Sequence, residues 1–188
     1  EYFSKCFGCT RFIYNKMLAD KIKYYNKTGE MLKNTPAQYK KEYPWLKEVD
    51  SLALANAQLN LDKAYKNFFK DKSVGFPKFK SKKKNRHSYT TNNQNGTIYI
   101  EDGYIKLPKL KSMVKLKQHR QFEGKIKSCT ISKTKTGKYY ISILVDEDIN
   151  QLPKNNNKVG IDLGIKDFAI TSDGEIFENP KCLRKSEK

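Results

Sequence analysis

The spacing of apolar residues changes once along this chain, at about residue 73. Before that point apolar residues recur every three or four positions, which is the period of a helix with one buried face. After it, short runs alternate apolar and polar residues, which is the period of a strand with one buried face. Helices followed by strands predict an α+β fold built from several modules.

Three helices are predicted in the first part of the chain. The first covers residues 2–26 and is stopped by Gly29. A short helix follows, with Thr35 as its cap and Pro36 in its first turn. The third begins with Ser51 as its predicted cap and runs for about 20 residues, or roughly 30 Å. The first module is therefore predicted to be helical.

Short alternating segments fill residues 73–150, among them "TIYIED", "YIKLPKL" and "SMVKLKQ". A fourth, "GKIKSCTISKTKTGKYYISILVDED", has Lys-Thr-Gly-Lys between two alternating runs and predicts a hairpin. Several short antiparallel strands predict a small β-barrel of the oligonucleotide-binding type. The polar stretch "NQLPKNNNK" predicts a domain boundary, and "KVGIDLGI", "DFAITSD" and "GEIFENP" predict three more strands with an Asp-Gly turn.

The composition is strongly basic. The 188 residues include 38 Lys plus Arg and 20 Asp plus Glu, which gives a formal net charge of +18. Cations that neutralise phosphates release condensed counterions, so a nucleic acid is the commonest partner of such a chain. The alternative is a lysine-rich organism whose proteins simply have basic surfaces. No apolar run of about 18 residues and no signal peptide is visible, so no membrane partner is expected.

A basic segment with interleaved aromatic residues joins the helices to the strands. Such a mixture is typical of a groove for nucleic acid, although a lysine run is also typical of a solvated loop. The run "TTNNQNG" follows, and its amides could pair with adenine or simply form a polar hairpin loop. The predicted nucleic-acid-binding residues of the two segments are Lys78, Phe79, Lys80, Lys82, Lys83, Lys84, Arg86, Asn92, Asn93, Gln94 and Asn95.

Cys6 and Cys9 form a Cys-x-x-Cys motif. A zinc site would need a second pair of ligands, but the sequence has no other Cys-x-x-Cys or His pair. On a helix the two cysteines share a face with Phe3 and Phe7, which predicts that they are small buried core residues. No zinc is therefore expected in this chain.

Asp162 lies in the predicted strand "VGIDLG", between Gly160 and Gly164. Alternation places Val159, Ile161 and Leu163 on the opposite face, where they are expected to anchor the strand in a core. The glycines leave room for a metal ion and a phosphate beside Asp162. Two-metal phosphodiester cleavage needs several carboxylates, so one aspartate is only part of a site. The alternative is a strand-end aspartate bonded to local backbone donors.

Five stretches, in order, resemble the TnpB/OrfB family of transposon-associated RNA-guided DNA endonucleases. They are "FGCTRFIYNKML", "WLKEVDSLALANAQLNLDKAYKNFF", "GFPKFKSKKK", "IKLPKL" and "VGIDLGIKDFAITSDG". The resemblance covers nearly the whole chain and implies the N-terminal portion of such a protein, cytoplasmic and nucleoid-associated in a prokaryote. Because the chain begins with Glu1 rather than Met, its natural start is expected to lie upstream.

The resemblance also implies a domain order. Residues 1–72 would be a helical recognition lobe and residues 73–150 a wedge domain with the small antiparallel β-barrel. A linker at 151–156 would lead into 157–188, the first strands of a RuvC-like nuclease domain with an RNase H-like fold.

By the same resemblance Asp162 matches the first of three RuvC carboxylates that bind Mg²⁺, and the other two lie downstream in the family. Ser51, Leu52 and Ala55 match the helix start that reads a short duplex motif, while guide RNA pairs with the target DNA. The implied function is binding of guide RNA and DNA, with cleavage only when the other carboxylates are present. One alternative is a DNA- or RNA-binding protein without nuclease activity. A remoter one is an actin- or Hsp70-like ATPase, which shares the letters "GIDLG".

Overall fold

The computed structural model describes residues 1–71, 73–83, 87–148, 156–182 and 184. It divides the chain into two compact units, Glu1–Asp148 and Ile149–Lys188. The described residues of the first unit form three α-helices and a short 3₁₀ helix at Pro44–Glu48. The α-helices are α1 (Tyr2–Thr28), α2 (Pro36–Glu42) and α3 (Ser51–Lys70).

The predicted helices are confirmed, and so is the stop at Gly29. Gly29 adopts a left-handed conformation with φ 74°, and its N–H donates a 2.8 Å hydrogen bond to the carbonyl of Tyr25. Only glycine takes this conformation without a steric cost, which is why the helix ends there. None of the helices in the described residues is long and apolar enough to cross a membrane.

The predicted cap of α3 was wrong by one residue. Asp50, not Ser51, is the extended residue before the helix, and its carboxylate accepts a hydrogen bond from the N–H of Leu52 at 3.3 Å. Asp50 is buried and also accepts a hydrogen bond from the hydroxyl of Thr91, which holds the carboxylate in capping position. Ser51 is the first helical residue, and its hydroxyl accepts a 2.7 Å hydrogen bond from the Lys40 ammonium.

The core lies between α1, α3 and the strands that follow. The predicted burial of Cys6 and Cys9 is confirmed, since they are 0% and 6% exposed. Burial raises the pKa of the Cys9 thiol to about 11 and also raises that of Cys6, so both stay protonated near neutral pH. Zinc binds thiolates, so this environment suits core packing better than metal binding.

The part of the first unit that the structure describes also contains two antiparallel sheets of three strands each. The first has the order β1–β5–β6, and the second has the order β2–β3–β4. The hairpin predicted at Lys-Thr-Gly-Lys is confirmed as the β5–β6 turn, with Gly137 at φ 86°. The strands are β1 (His87–Asn92), β2 (Tyr99–Glu101), β3 (Tyr104–Lys106), β4 (Val114–Lys115), β5 (Lys125–Lys133) and β6 (Tyr139–Asp146).

The predicted small β-barrel is not formed by the described residues, because neither sheet closes. No strand of one sheet pairs with a strand of the other, although both sheets contribute side chains to one core. Strands β2, β3 and β4 have only two or three residues each, which is too short to continue the hydrogen-bonded ladder around a barrel. An open cavity of about 800 Å³ remains between the sheets, lined by side chains such as Ile105, Ile131 and Ile143.

The second unit contains the three strands predicted from "VGIDLG" onward. They are β7 (Ile161–Leu163), β8 (Asp167–Thr171) and β9 (Ile176–Glu178), paired antiparallel in that order. The Asp-Gly turn between β8 and β9 is confirmed, with Gly174 at φ 84° donating to the carbonyl of Thr171.

The expected core anchor of β7 was wrong. Val159, Ile161 and Leu163 are 53%, 62% and 72% exposed. A single three-stranded sheet has no second layer to cover its apolar side chains, and the described residues of this unit supply none. Alternation along the strand therefore did not predict that these side chains are exposed.

Candidate nucleic-acid interface

The basic segment of residues 73–83 is fixed on α1 by Asn15. The Asn15 side-chain amide donates to the carbonyl of Lys80 at 2.8 Å, and its oxygen accepts from the N–H of Lys80 at 2.8 Å. A single side chain thus makes the two backbone hydrogen bonds that a neighbouring strand would make. Sequence reasoning missed Asn15, and the only signal was a polar residue on a largely apolar helix face.

Lys80 differs from the other lysines of this segment. Its ammonium lies 4.1 Å from the centroid of the Tyr14 ring, a cation–π contact, and burial lowers the pKa of Lys80. Lys78, Lys82 and Lys83 are exposed to solvent. Those three side chains remain accessible to a partner, whereas Lys80 is largely committed to packing. Lys84 and Arg86 lie outside the described residues.

The two aromatic residues of the segment, Phe76 and Phe79, differ in whether they pack against other rings. Phe76 packs edge-on against Tyr65 and Phe68, with ring centroids 5.5 and 5.3 Å apart, so it attaches the segment to α3. Phe79 is 56% exposed and makes no ring contact within the described residues. The Phe79 ring therefore remains exposed, as a stacking role would require, whereas Phe76 packs within the structure.

The start of α3 and the end of β1 meet at Asn56. The side-chain amide of Asn56 donates to the Leu52 carbonyl at 2.9 Å and to the Asn92 side-chain oxygen at 3.3 Å. Asn92 is exposed, as is Ser51, and Ala55 is half-buried. The tertiary structure thus brings Asn92 next to the helix start that carries the predicted reading residues Ser51, Leu52 and Ala55.

Asn93 instead has a structural role in this fold. Its side-chain nitrogen donates to the carbonyls of Ile98 and Ile126, and its side-chain oxygen accepts from the Ile98 N–H, all at 2.9 to 3.0 Å. These bonds occupy the amide that was predicted to contact a base. Gln94 remains exposed and opens a tight turn in which Asn95 and Gly96 both have positive φ.

A polar cleft lies beside this junction, between α1, α3, the basic segment and β1. Its polar side chains come from all four elements, and sequence reasoning missed all of them except Lys80. Asn56 and Asn60 are four residues apart on α3, which would have placed them on one helix face but not opposite α1. These polar side chains are Thr10, Arg11, Asn56, Asn60, Lys80, Ser88 and Thr90.

Asp162 is exposed in the middle of β7. Across the sheet it pairs with Ile170, and Ile170 pairs with Ile176, so the neighbours on its face are apolar rather than acidic. The described residues contain no group of three His, Cys, Asp or Glu side chains able to hold a metal ion. The residues described in this sheet therefore do not fit a complete magnesium site.

The glycines beside Asp162 have roles in the sheet itself. The Gly160 N–H donates to the Ser172 hydroxyl at 3.0 Å, and the Gly160 carbonyl accepts from the Ser172 N–H at 2.8 Å. A Cβ on Gly164 would lie 3.0 Å from the Asp167 carbonyl oxygen, a tight contact that favours a glycine in the β7–β8 connection. Open space for a ligand is thus not the only reason for a glycine there.

The chain is similar to known proteins over nearly its whole length. Residues 1–30 match the helix-turn-helix domain of OrfB proteins of the IS605 type. The chain is 32% identical over 194 residues to "Putative RNA-guided DNA endonuclease InsQ" of Escherichia coli K12, covering 96% of this chain. It is 32% identical over 195 residues, 97% of this chain, to "Putative RNA-guided DNA endonuclease" of Streptomyces pristinaespiralis. The chain belongs to the TnpB/OrfB family.

The match to the TnpB/OrfB proteins covers part of each relative. The chain spans 46% of the Escherichia coli protein and 47% of the Streptomyces protein, or about half their length. A third relative, "Virulence protein VsdF" of Salmonella dublin, is 39% identical over 97 residues, 44% of this chain and 82% of that protein. Within the matched residues 1–30, this TnpB/OrfB chain has a single helix, α1, and the next helix begins at Pro36.

Proposed function

We propose that this chain is the nucleic-acid-binding part of a transposon-encoded RNA-guided DNA endonuclease, and that it binds guide RNA and target DNA. The observation that carries the proposal is the similarity, over 96% of the chain, to a protein with that printed name. The net charge of +18 supports it, because a phosphate backbone is the usual partner of so basic a chain.

In this proposal two sets of residues have different roles in binding the nucleic acid. Lys78, Lys82, Lys83 and Phe79, on the exposed face of the basic segment, contact phosphates and stack on bases. Asn92, together with the start of α3 that carries Ser51, Leu52 and Ala55, reads a short duplex motif beside the target. Within this second set, only the Asn92 amide and the Ser51 hydroxyl can form side-chain hydrogen bonds with base edges. These two residues would therefore determine which bases are preferred.

The finer domain assignment is part of the same proposal. Residues 1–72 correspond to the recognition lobe and 73–150 to an oligonucleotide-binding-like wedge domain. Residues 151–156 correspond to a linker, most of which lies outside the described residues. Residues 157–188 correspond to the opening strands of the RuvC-like, RNase H-like domain, with Asp162 as its first Mg²⁺-binding carboxylate.

The exposed lysines provide the first test. Changing Lys78, Lys82 and Lys83 to Gln should weaken binding to duplexes of any sequence, because phosphate contacts carry no sequence information. If each lysine neutralises one phosphate, the slope of log K against log salt should become shallower by about 2 to 3 units. Fluorescence anisotropy over a salt titration measures both quantities.

The matched control replaces the same three lysines with Arg. The Arg variant keeps the positive charges, so the slope of log K against log salt should stay the same. The comparison therefore separates an effect of charge from an effect of altered conformation in the basic segment. A Gln variant with the wild-type slope would contradict the assignment and leave the segment as a solvated loop.

Cleavage is the second test. With Mg²⁺, guide RNA and a matching duplex, the 188-residue chain should bind without cutting, because its described residues provide no cluster of three possible metal ligands. Gel electrophoresis of end-labelled DNA measures this. Cut products that disappear in Asp162→Ala would show that this chain completes a nuclease site and would contradict the expectation. A second candidate, a nucleic-acid-binding protein without nuclease activity, makes the same prediction for this chain.

A further inference from the structure

The polar cleft between α1, α3, the basic segment and β1 has a volume of about 220 Å³. Small-molecule sites typically measure ~300 to 1,000 Å³, so this cleft suits a group of a few atoms rather than a whole nucleotide cofactor. It contains Arg11 and Lys80 as cations, and no Asp or Glu is among its lining residues. Its charge therefore favours an anion.

Arg11 is the cation of this cleft that is free to bind. Its side chain is half-buried, and its guanidinium makes no hydrogen bond or ion pair with the described residues. Three lysines of the same helix are paired with carboxylates: Lys5 with Glu48, Lys16 with Asp20, and Lys21 with Asp62. A half-buried guanidinium without a counterion is costly unless a ligand supplies one.

Neutral hydrogen-bond donors line the same cleft as Arg11. The Asn60 amide and the Ser88 hydroxyl are exposed lining groups, and neither has a hydrogen-bond partner within the described part of the chain. Lys80 forms one side of the cleft. Hydrogen bonds between the backbone of Lys80 and the side chain of Asn15 hold it there. A guanidinium, an amide and a hydroxyl on the walls of one small cleft are suitable donors for a tetrahedral oxyanion.

We propose that this cleft binds a single backbone phosphate of the nucleic acid, with Arg11 as its main charged contact. The inference rests on the proposed nucleic-acid function and adds a specific subsite to it. Asn56 links the cleft to the surface around Asn92. It lines the cleft, and its side-chain amide also donates a hydrogen bond to the side-chain oxygen of Asn92. A strand whose bases meet Asn92 would therefore carry its backbone past Arg11. The subsite positions the strand and carries no sequence preference.

Arg11→Ala and Arg11→Gln should each weaken binding to duplex DNA of any sequence by about tenfold near physiological salt, as expected for a lost charged hydrogen bond. Each should also make the salt slope shallower by about 0.9, the value for one phosphate of B-DNA. The control is Lys23→Ala, an exposed lysine about 18 Å farther along α1, which removes the same charge. It should change affinity by much less than tenfold. Circular dichroism melting confirms that each variant is folded.

A direct measurement separates this inference from the proposed function. In NMR spectra, the Arg11 Nε–H and the Asn60 side-chain amide should shift when an oligonucleotide or inorganic phosphate is added. If the wild type binds DNA but Arg11 variants keep its affinity and slope, the subsite is wrong and the proposed function stands. If phosphate shifts Arg11 while neither DNA nor RNA binds, the cleft is an anion site of another kind, and both proposals are overturned.

Discussion

Leu61→Ala is expected to lower the free energy of unfolding of the first unit by about 2 to 5 kcal/mol. Leu61 lies on α3 and is 0% exposed, within the core shared by α1 and the strands. The substitution removes buried methyl groups and leaves a cavity that close-packed neighbours fill only in part. Urea denaturation followed by far-UV circular dichroism measures the change in midpoint.

Leu59→Ala is the matched control on the same helix. Leu59 is 58% exposed, so the same chemical change should alter the free energy of unfolding by no more than about 0.5 kcal/mol. Equal effects of the two substitutions would mean that α3 does not bury the Leu61 face, and the helix packing described above would be wrong.

Asp50→Ala is expected to lower the free energy of unfolding by about 2 to 4 kcal/mol. The first contribution is the lost cap of α3, typically about 1 kcal/mol. The second comes from the hydroxyl of Thr91, which is 0% exposed and donates to the Asp50 carboxylate. Without that acceptor the hydroxyl stays buried and unpaired, at a cost of about 1 to 3 kcal/mol. Thermal and urea unfolding measure the sum.

Two further variants separate these contributions. Asp50→Asn keeps a good capping residue, so it should cost less than Asp50→Ala. Thr91→Val replaces the hydroxyl with a methyl group of similar size, and its effect should be non-additive with that of Asp50→Ala because both remove the same hydrogen bond. Additive effects would contradict a direct bond between the two side chains. Because Asn92 follows Thr91 in β1, loss of this bond should also weaken duplex binding if Asn92 reads DNA.

The features that the sequence predicted well depend on residues close together in the chain. The spacing of apolar residues predicted the helices and strands. Gly29 and the turns at Gly137 and Gly174 were predictable because positive φ is a local requirement that glycine meets. The error at Ser51 was also local, since Asp50 and Ser51 are comparable as caps and the hydroxyl of Thr91 favoured Asp50.

The candidate site was less predictable, because the role of a polar side chain depends on distant partners. Lys80 and Lys82 look alike in the sequence, but Asn15 and Tyr14 hold Lys80 while Lys82 stays exposed. Asn92 and Asn93 are adjacent, yet only Asn92 is exposed on the surface. The side-chain amide of Asn93 is instead hydrogen-bonded to the backbone. No local pattern distinguishes such neighbours.

The sequence by itself determined the helical and strand elements, the basic character of the chain, the burial of the Cys-x-x-Cys motif and the family. Each follows from composition, short-range periodicity or ordered motifs. Only the tertiary structure decided that the sheets stay open, that the apolar face of β7 is uncovered, and that Arg11 and Asn60 meet in one cleft. These depend on contacts between residues far apart in the chain, which the pattern of neighbouring residues does not specify.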